Sequence, residues 1–199
     1  RGGCAVSRVC VVAEPGSTHQ GRLGLFERLV DECAAAGADV FKSQWVSSPH
    51  RLCERRRAPE YLDSYTLLSF PIGWHELLSR RCERAGIQYG CTTYIPGDAA
   101  IVAPYVSVQK IASFEAGDEA FVQSHFEFFP KRLLVSVGMM EHGPQFGRLL
   151  ECQEDGLLSL LACTSSYPCP RNQMQLATIR HYGLHGYSDH TRDIFGGKY

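Results

Sequence analysis

The chain has 199 residues, with 20 lysines and arginines against 21 aspartates and glutamates and a formal net charge of -1. This length suits one domain with a sizeable core, and the balanced charge gives no argument for a nucleic acid or an anionic membrane as partner. No apolar run approaches the roughly twenty residues of a membrane span, and the first residues lack the apolar segment of a signal peptide. Nine cysteines without a Cys-x-x-Cys pair are typical of reduced thiols. We therefore expect a cytoplasmic protein with a single domain over residues 1–199.

Short apolar runs alternate with amphipathic segments along the chain, which is the pattern of repeated strand and helix units. The first run, Arg8–Ala13, is continuous and apolar, as expected for a strand buried on both faces. Apolar residues then recur at helical spacing in Leu23–Ala36, and Gly37 is a natural residue to end that helix. The same reasoning predicts six further strands, at Asp39–Lys42, Ile87–Cys91, Val106–Lys110, Leu133–Val137, Leu157–Cys163 and Leu184–Tyr187. It predicts five further helices, at Trp74–Ala85, Pro96–Val102, Glu119–Phe126, Gln145–Glu151 and Gln173–His181.

One stretch, Val46–Phe70, breaks this alternation. It is polar, aromatic and rich in arginine, without a clear period, and is predicted to be a long loop with at most one helical turn. Its basic cluster from Arg51 to Arg57 is interpreted as a solvated loop rather than a binding patch.

Seven strands that alternate with helices and end in polar residues predict an α/β fold, a (β/α)8 TIM-type barrel. No Gly-x-Gly-x-x-Gly follows the first strand and no P-loop occurs, which argues against an open dinucleotide-binding sheet. A barrel needs an eighth strand to avoid an open edge, so the chain is expected to lack its last β/α unit. We expect chain to be missing after Tyr199, and also within the stretch between Tyr167 and Ser188.

Polar residues follow each predicted strand, and in a barrel they converge on one end. Two lysines among hydroxyl groups suit a small phosphorylated anion, because ammonium groups offset its charge and hydroxyls orient it. A lone Ser or Thr in such a place more often caps a helix or turn, whereas a lysine directly after a buried run must reach solvent or meet an anion. These residues are Glu14, Lys42, Gln44, Thr92, Lys110, Ser113, Ser136, Thr164, Ser165, Tyr167, Ser188, Asp189 and His190.

Four other histidines and cysteines are weaker candidates for a functional role. Gly183 interrupts any helix between His181 and His185, so both are predicted to be ordinary surface or packing residues. Cys91 and Cys163 are predicted to be buried without an adjacent base, which argues against nucleophilic thiol chemistry.

Six stretches, in chain order and over nearly the whole length, resemble the sialic acid synthase (N-acetylneuraminate synthase) family. They are Ala13–Gly21, Gly37–Gln44, Lys110–Glu115, Val135–Met139, Cys163–Pro168 and Ser188–Thr191. The resemblance implies an enzyme that joins phosphoenolpyruvate to N-acetylmannosamine or a related hexosamine, with a nine-carbon 2-keto sugar acid and phosphate as products. It also implies a homodimer. The family carries a small antifreeze-like domain after the barrel, and we expect this chain to contain the barrel domain alone.

Carried over position by position, the resemblance assigns roles to these residues. It implies catalytic roles for Glu14, Lys42, Lys110 and His190. The ligands of phosphoenolpyruvate would be Lys42, Thr92, Lys110, Ser113, Ser136, Ser165 and Ser188. The residues that face the sugar would be Glu14, Gln44 and Tyr167. The resemblance further makes His190 one of two histidine ligands of a divalent metal, Mn²⁺ or Mg²⁺, that polarises the sugar aldehyde, with the second histidine on the eighth strand.

Departures from the family pattern affect the sugar more than phosphoenolpyruvate. The first turn has Ser17–Gln20 where an Asn-His-Asn type is usual, Ser43 replaces a common aromatic residue, and Thr93-Tyr94 replaces Pro-Phe. Two alternatives stay open. One is a related synthase that acts on an aldose phosphate, of the 3-deoxy-octulosonate or 3-deoxy-heptulosonate phosphate type, which would need extra arginines at the strand ends. The other is a non-catalytic truncated barrel that only binds ligand.

Overall fold

The computed structural model describes residues 8–130 and 132–192, in which parallel strands alternate with helices. The strands are β1 (Val12–Ala13), β2 (Val40–Gln44), β3 (Gln88–Thr92), β4 (Val108–Ile111), β5 (Leu133–Ser136), β6 (Leu158–Cys163) and β7 (Gly186–Ser188). The α-helices are α1 (Leu23–Ala35), α2 (Pro49–Arg56), α3 (Leu62–Thr66), α4 (Gly73–Ala85), α5 (Asp98–Val102), α6 (Glu119–Phe126), α7 (Pro144–Glu154) and α8 (Ala177–Tyr182). Short 3-10 helices span Pro59–Tyr61 and Arg171–Gln173. Within these two ranges, no helix has the length and apolar character needed to span a bilayer.

The order of the strands identifies the type of sheet. Each strand pairs in parallel with the next along the chain, so the spatial order is β1 to β7 without a reversal. A doubly wound sheet reverses its order at a switch point, whereas a TIM barrel does not. The Nζ of Lys110 on β4 donates to the Oγ of Ser188 on β7 at 3.1 Å. In a flat sheet those two strands would lie about 14 Å apart. The sheet is therefore curled, and the seven described strands form an arc of a TIM-type barrel, as predicted; the eighth strand stays a prediction.

Alternation along the strands separates the apolar core from the polar interior of the arc. Phe41 on β2 and Tyr89 on β3 face outward and pack against Phe26 and Val30 of α1 and Leu78 of α4. A second cluster joins β4, β5 and β6 to α6 and α7 in the same way. Because successive strand residues face opposite sides, the neighbours of these core residues point into the arc.

The stretch predicted to be a long loop is helical, so that prediction was wrong. The side chain of Ser48 caps α2 by accepting from the backbone N–H of Arg51, and Pro49 occupies the first turn. The helix has eight residues and buries only Leu52 and Cys53, too few to give a clear period. Its stability comes from tertiary contacts that the local sequence does not show.

Two arginines of the basic cluster form ion pairs, although the cluster was predicted to be a solvated loop. Arg55 forms an ion pair with Asp118 at 2.7 Å, and Arg56 forms one with the buried Glu115. Both carboxylates belong to the segment that follows β4. Two arginines of the basic cluster, Arg55 and Arg56, therefore link α2 to the neighbouring part of the barrel, whereas Arg51 and Arg57 are exposed.

The first and last strands are shorter than predicted. Val9 is 78% exposed and Val11 is 49% exposed, and β1 contains only two residues. Among the described strands it pairs with β2, and the exposure of Val9 and Val11 shows that the apolar run is not buried on both faces there. At the other end Leu184 donates its N–H to the carbonyl of Ile179 in α8, so β7 starts two residues later, at Gly186.

Gly138, just after β5, is a position where only glycine fits. A Cβ placed there would lie 2.2 Å from the carbonyl oxygen of Cys163, and the N–H of Gly138 donates to the Oγ of Ser113 at 3.2 Å. We expect Gly138→Ala to lower the free energy of unfolding by about 1–3 kcal/mol, because the backbones after β5 and β6 must move apart. Urea denaturation measures this change. Gly143→Ala is the matched control, since its Cβ meets nothing within 4 Å, and equal stability of the two variants would contradict the expectation.

Candidate active site

Polar side chains from neighbouring strands meet inside the arc at the carboxyl ends of the strands. Lys42 and Gln44 lie on β2, Thr92 ends β3, and Lys110 lies on β4. In the ladder Gln44 pairs with Thr92, and Thr92 pairs with Lys110. The register therefore brings side chains from three strands into one cluster, at the end where barrel enzymes bind their substrates.

Lys42 and Glu14 form the centre of the first part of this cluster. The Nζ of Lys42 donates to one carboxylate oxygen of Glu14 and to the Oγ1 of Thr92 at 2.7 Å, and the Nε2 of Gln44 donates to the other oxygen of Glu14. Burial raises the pKa of Glu14. The charges of Lys42 and Lys110 and the two hydrogen bonds lower this pKa by a larger amount, so the net shift is downward. Glu14 is therefore ionised at neutral pH.

Lys110 lies on the other side of Thr92 and is only 8% exposed. Among the described residues its hydrogen-bond partner is Ser188. Burial, together with the charge of Lys42, lowers its pKa to about 8, against the opposing effect of Glu14. Below that pH the site holds a buried ammonium group whose partner is a neutral hydroxyl, which favours the binding of an anion.

Two further serines, Ser113 and Ser136, lie at the carboxyl ends of β4 and β5. The Oγ of Ser136 is buried and has no hydrogen-bond partner in the described part of the chain. Ser113 accepts a bond from the backbone N–H of Gly138, and its hydroxyl also interacts with the thiol of Cys163. A buried hydroxyl without a partner, at the same end of the strands as a buried cation, suits an anion with several oxygen atoms.

His190 follows β7 and contacts the residues after β6. Its Nδ1 lies 3.0 Å from the carbonyl oxygen of Thr164, and its Nε2 lies 3.0 Å from the hydroxyl of Tyr167. Because a carbonyl oxygen only accepts hydrogen bonds, Nδ1 carries the proton of the neutral ring and Nε2 has the free lone pair.

Cys163 is buried as predicted, but a histidine that the sequence did not indicate lies beside it and directs its Nδ1–H toward the sulfur. Its Sγ lies 3.6 Å from the Nδ1 of His190 and 3.7 Å from the Oγ of Ser165. Burial raises the pKa of this thiol, but hydrogen bonds from His190 and Ser113 lower it by more. Cys91 fits its prediction, since burial raises the pKa of its thiol to about 12. Cys163 and His190 are 27 positions apart in the chain, and the pattern of strands does not show that they meet.

The described residues do not by themselves make a metal site. Within residues 8–130 and 132–192, no group of three or more histidines, cysteines, aspartates and glutamates could hold a metal ion. His190 offers one nitrogen, and His181 and His185 are exposed. His185 contacts Ser159 near the start of β6, at the opposite end of the strand from the site.

Hydrogen bonds link most of the predicted site residues in three groups. Glu14, Lys42, Gln44 and Thr92 form the first group, and Lys110 with Ser188 forms the second. The third group contains Ser165, Tyr167 and His190, joined through Cys163. Ser113 belongs to the backbone turn at Gly138, and Ser136 stands without a hydrogen bond.

Sequence reasoning missed Arg56 and Glu115, although both lie at this end of the barrel. Glu115 is 1% exposed and follows Ser113 by two residues. Burial raises the pKa of its carboxyl group, and the adjacent Arg56 guanidinium acts in the opposite direction. A signal was present in the order of the chain, because Glu115 ends the third stretch that resembles the sialic acid synthases. Its arginine partner is 59 positions away and could not be paired with it from the sequence.

The fold and this cluster together define a TIM-type barrel with a cationic, hydroxyl-lined site at the carboxyl ends of its strands. A family model described as the NeuB family matches residues 29–196. The chain belongs to the NeuB family, which confirms the resemblance to the sialic acid synthases.

Relatives in this family are similar at low identity. The chain is 24% identical over 210 residues to an N,N'-diacetyllegionaminic acid synthase of Campylobacter jejuni, covering 95% of this chain and 63% of the relative. It is 25% identical over 187 residues to a pseudaminic acid synthase of the same species, covering 86% of this chain and 54% of the relative. The chain thus spans between about half and two thirds of the length of these curated relatives.

Solved structures confirm the type of barrel. An N-acetylneuraminic acid (sialic acid) synthetase from Leptospira borgpetersenii superposes with a TM-score of 0.81 at 24% identity, over 94% of this chain and 67% of that chain. A phospho-2-dehydro-3-deoxyheptonate aldolase (DAHP synthase) from Thermotoga maritima superposes less well, with a TM-score of 0.62 at 12% identity, over 87% of this chain and 47% of that chain. At these identities the likeness is one of fold.

Proposed function

We propose that the protein condenses phosphoenolpyruvate with N-acetylmannosamine or a related N-acyl hexosamine, giving a nine-carbon 2-keto sugar acid and phosphate. Membership of a family whose relatives are named as sugar acid synthases supports this proposal. The observation that carries it is the pair of buried lysines, Lys42 and Lys110, at the strand ends where the buried hydroxyl of Ser136 has no partner among the described residues. A small, dense anion is the ligand that such a group of donors suits.

Phosphoenolpyruvate would occupy the inner part of the site. Lys42 and Lys110 offset its phosphate and carboxylate charges, and hydroxyl groups orient it. The proposed ligands are Lys42, Thr92, Lys110, Ser113, Ser136, Ser165 and Ser188.

The acceptor sugar would lie nearer the open end, against Glu14, Gln44 and Tyr167, of which Tyr167 is 76% exposed. In the reaction C3 of phosphoenolpyruvate forms the new carbon–carbon bond with the aldehyde carbon, and the aldehyde oxygen gains a proton. A water molecule then adds to C2, the bond from C2 to the phosphate oxygen breaks, and a keto group forms at C2. Glu14, held ionised by Lys42, is placed to orient the acceptor hydroxyls and to exchange a proton with them.

A divalent ion, Mn²⁺ or Mg²⁺, with His190 as one ligand is part of this proposal and rests on the family resemblance. Such an ion would act as a Lewis acid toward the aldehyde. Its binding is measured by titrating the protein with Mn²⁺ under electron paramagnetic resonance, with His190→Ala as the comparison. A homodimer is likewise proposed, and analytical ultracentrifugation of the protein measures it.

An aldose phosphate as acceptor is less well supported. It would require additional cationic groups for a second phosphate, and the candidates in the sequence were the arginines of α2. Arg55 and Arg56 are instead paired with Asp118 and Glu115.

One assay separates these functions. The full-length protein is incubated with phosphoenolpyruvate, Mn²⁺ and a panel of N-acyl hexosamines and aldose phosphates, and the release of phosphate is followed. Release that depends on an N-acyl hexosamine is the expected result. Release that depends on an aldose phosphate would establish the other synthase type, and no release with any acceptor would leave only the non-catalytic binding protein.

The affinity for phosphoenolpyruvate should depend on pH through Lys110. The pKa of this lysine is about 8 in the free protein, and the anion binds its protonated form. Affinity is therefore full below pH 8 and is lost as the pH rises above it, with Kd increasing about tenfold per pH unit until the higher pKa of the complex is reached. Isothermal titration calorimetry between pH 7 and pH 10 measures this slope. Lys110→Arg keeps its charge over that range and should lack the slope, whereas a flat profile for the unsubstituted protein would contradict the assignment.

A further inference from the structure

The segment that follows β6 holds both the ring and the backbone of His190. The Nδ1 of the ring lies 3.0 Å from the carbonyl oxygen of Thr164 and 3.6 Å from the Sγ of Cys163. The backbone carbonyl of His190 accepts the N–H of Cys169 at 2.8 Å. The two ring nitrogens therefore cannot exchange places unless these contacts are lost.

The other ring nitrogen of His190, Nε2, is covered by Tyr167. The hydroxyl of Tyr167 lies 3.0 Å from Nε2, and the two ring centres are 4.1 Å apart with their planes inclined by 35°. Because Nδ1 carries the proton of the neutral ring, the hydroxyl of Tyr167 donates to the lone pair of Nε2. A metal ion needs that same lone pair, so this hydrogen bond and a bond from Nε2 to a metal exclude each other.

Tyr167 is the partner that can move. Its side chain is 76% exposed, whereas His190 is partly buried. Exposed side chains change rotamer within picoseconds to nanoseconds, but His190 could turn only by breaking its contacts with Thr164 and Cys163. The lone pair of Nε2 therefore becomes available when Tyr167 turns away.

This arrangement differs from the one that the family resemblance implies, in which His190 is a metal ligand. In the described structure the nitrogen that would bind the ion accepts a hydrogen bond instead, and it must first be released. Tyr167 is also one of the residues proposed to face the acceptor sugar. A sugar hydroxyl that takes over the hydrogen bond of Tyr167 would release the nitrogen.

We propose that Tyr167 is a latch on His190. In the free protein its hydroxyl occupies the nitrogen that a divalent ion needs, and the acceptor sugar opens the latch by binding that hydroxyl. This inference rests on the proposed function and deepens it, because it makes binding of the ion depend on the acceptor. By thermodynamic reciprocity, the ion would strengthen binding of the acceptor by the same factor.

Titration with Mn²⁺ under electron paramagnetic resonance measures the latch without turnover, since phosphoenolpyruvate is left out. Tyr167→Phe removes the hydroxyl and keeps the ring, and His190→Ala shows which part of the binding depends on His190. Tyr182→Phe is the matched control, because the hydroxyl of Tyr182 lies 2.8 Å from the Nδ1 of His142 and its loss removes the same kind of contact at another histidine. Urea denaturation reports whether each variant is folded.

We expect Tyr167→Phe to bind Mn²⁺ about three- to tenfold more tightly than the unsubstituted protein, because one hydrogen bond no longer competes for the nitrogen. Tyr182→Phe should bind Mn²⁺ like the unsubstituted protein, and His190→Ala should lose this binding. Saturating N-acetylmannosamine should tighten Mn²⁺ binding by the unsubstituted protein. The sugar should have a smaller effect on Tyr167→Phe, in which the latch is already open.

Three results would count against the latch. Equal or weaker Mn²⁺ binding by Tyr167→Phe, with binding through His190 intact in the unsubstituted protein, would overturn this inference and leave the proposed function standing. An equal effect of the sugar on both proteins would overturn the dependence on the acceptor. Absence of any Mn²⁺ binding that depends on His190 would overturn the metal site of the proposed function and the latch with it.

Discussion

Replacing Lys110 with methionine is expected to raise the Kd for phosphoenolpyruvate at least about hundredfold, which corresponds to about 2.7 kcal/mol. The lysine is 8% exposed, and its described partner is the neutral hydroxyl of Ser188, so its charge is available to the ligand. In the methionine variant, phosphoenolpyruvate would enter the same buried site without the positive charge of Lys110. The loss would not come from unfolding, because methionine fills a similar volume and a buried cation is costly to the folded state. Calorimetry at pH 7 measures the change.

Arg148→Met is the control for this experiment. It removes one positive charge as well, but the side chain of Arg148 is 51% exposed and pairs with Glu119 on the outer surface of the barrel. Its Kd should match that of the unsubstituted protein. If Lys110→Met bound phosphoenolpyruvate as tightly as Arg148→Met does, the anion would have to bind elsewhere and the proposed function would lose the observation that carries it.

The barrel and the place of its site were predictable because both depend on local patterns. Apolar runs and helical spacing mark the strands and helices, and parallel strands bring their carboxyl ends to one side. Lys42, Thr92 and Lys110 could therefore be placed together before any contact was known, and the ladder aligns Thr92 with Lys110. The pattern does not show which partner each charged side chain has. That Glu14 neutralises Lys42, while Lys110 has a hydroxyl as its partner among the described residues, is visible in the structure alone.

The errors all involve contacts between residues far apart in the chain. Helix α2 was missed because it is short, and it is held by the pair of Arg56 with Glu115, 59 positions away. The histidine beside Cys163 was missed because His190 approaches from the end of the next strand, 27 positions later. Val9 was assigned to a buried strand because an apolar run does not say which elements cover it. In each case tertiary structure decided what local propensity left open.

Glu14→Gln is expected to separate the two halves of the reaction. In the free protein the carboxylate of Glu14 offsets the charge of Lys42, whose side chain is 3% exposed. Glutamine keeps the shape and one accepting oxygen, but it leaves the ammonium group of Lys42 without a counter-charge. Phosphoenolpyruvate should therefore bind at least as tightly as before, since one negative charge has left an anion site. Condensation should nonetheless fall, with kcat/KM for the acceptor lower by at least about hundredfold, because glutamine cannot accept a proton and holds acceptor hydroxyls more weakly.

The opposite signs of these two effects make the experiment decisive for the role of Glu14. Glu76→Gln is the control, because it makes the same chemical change at a side chain that is 54% exposed and paired with Arg80 on the surface of α4. Both the Kd of phosphoenolpyruvate and kcat/KM should be unaltered in that variant. If Glu14→Gln weakened phosphoenolpyruvate binding in proportion to its loss of turnover, Glu14 would belong to the anion subsite. If it kept full turnover, the contacts of Glu14 with Lys42 and Gln44 would serve the fold alone, and the acceptor end of the site would have to be sought nearer to Tyr167.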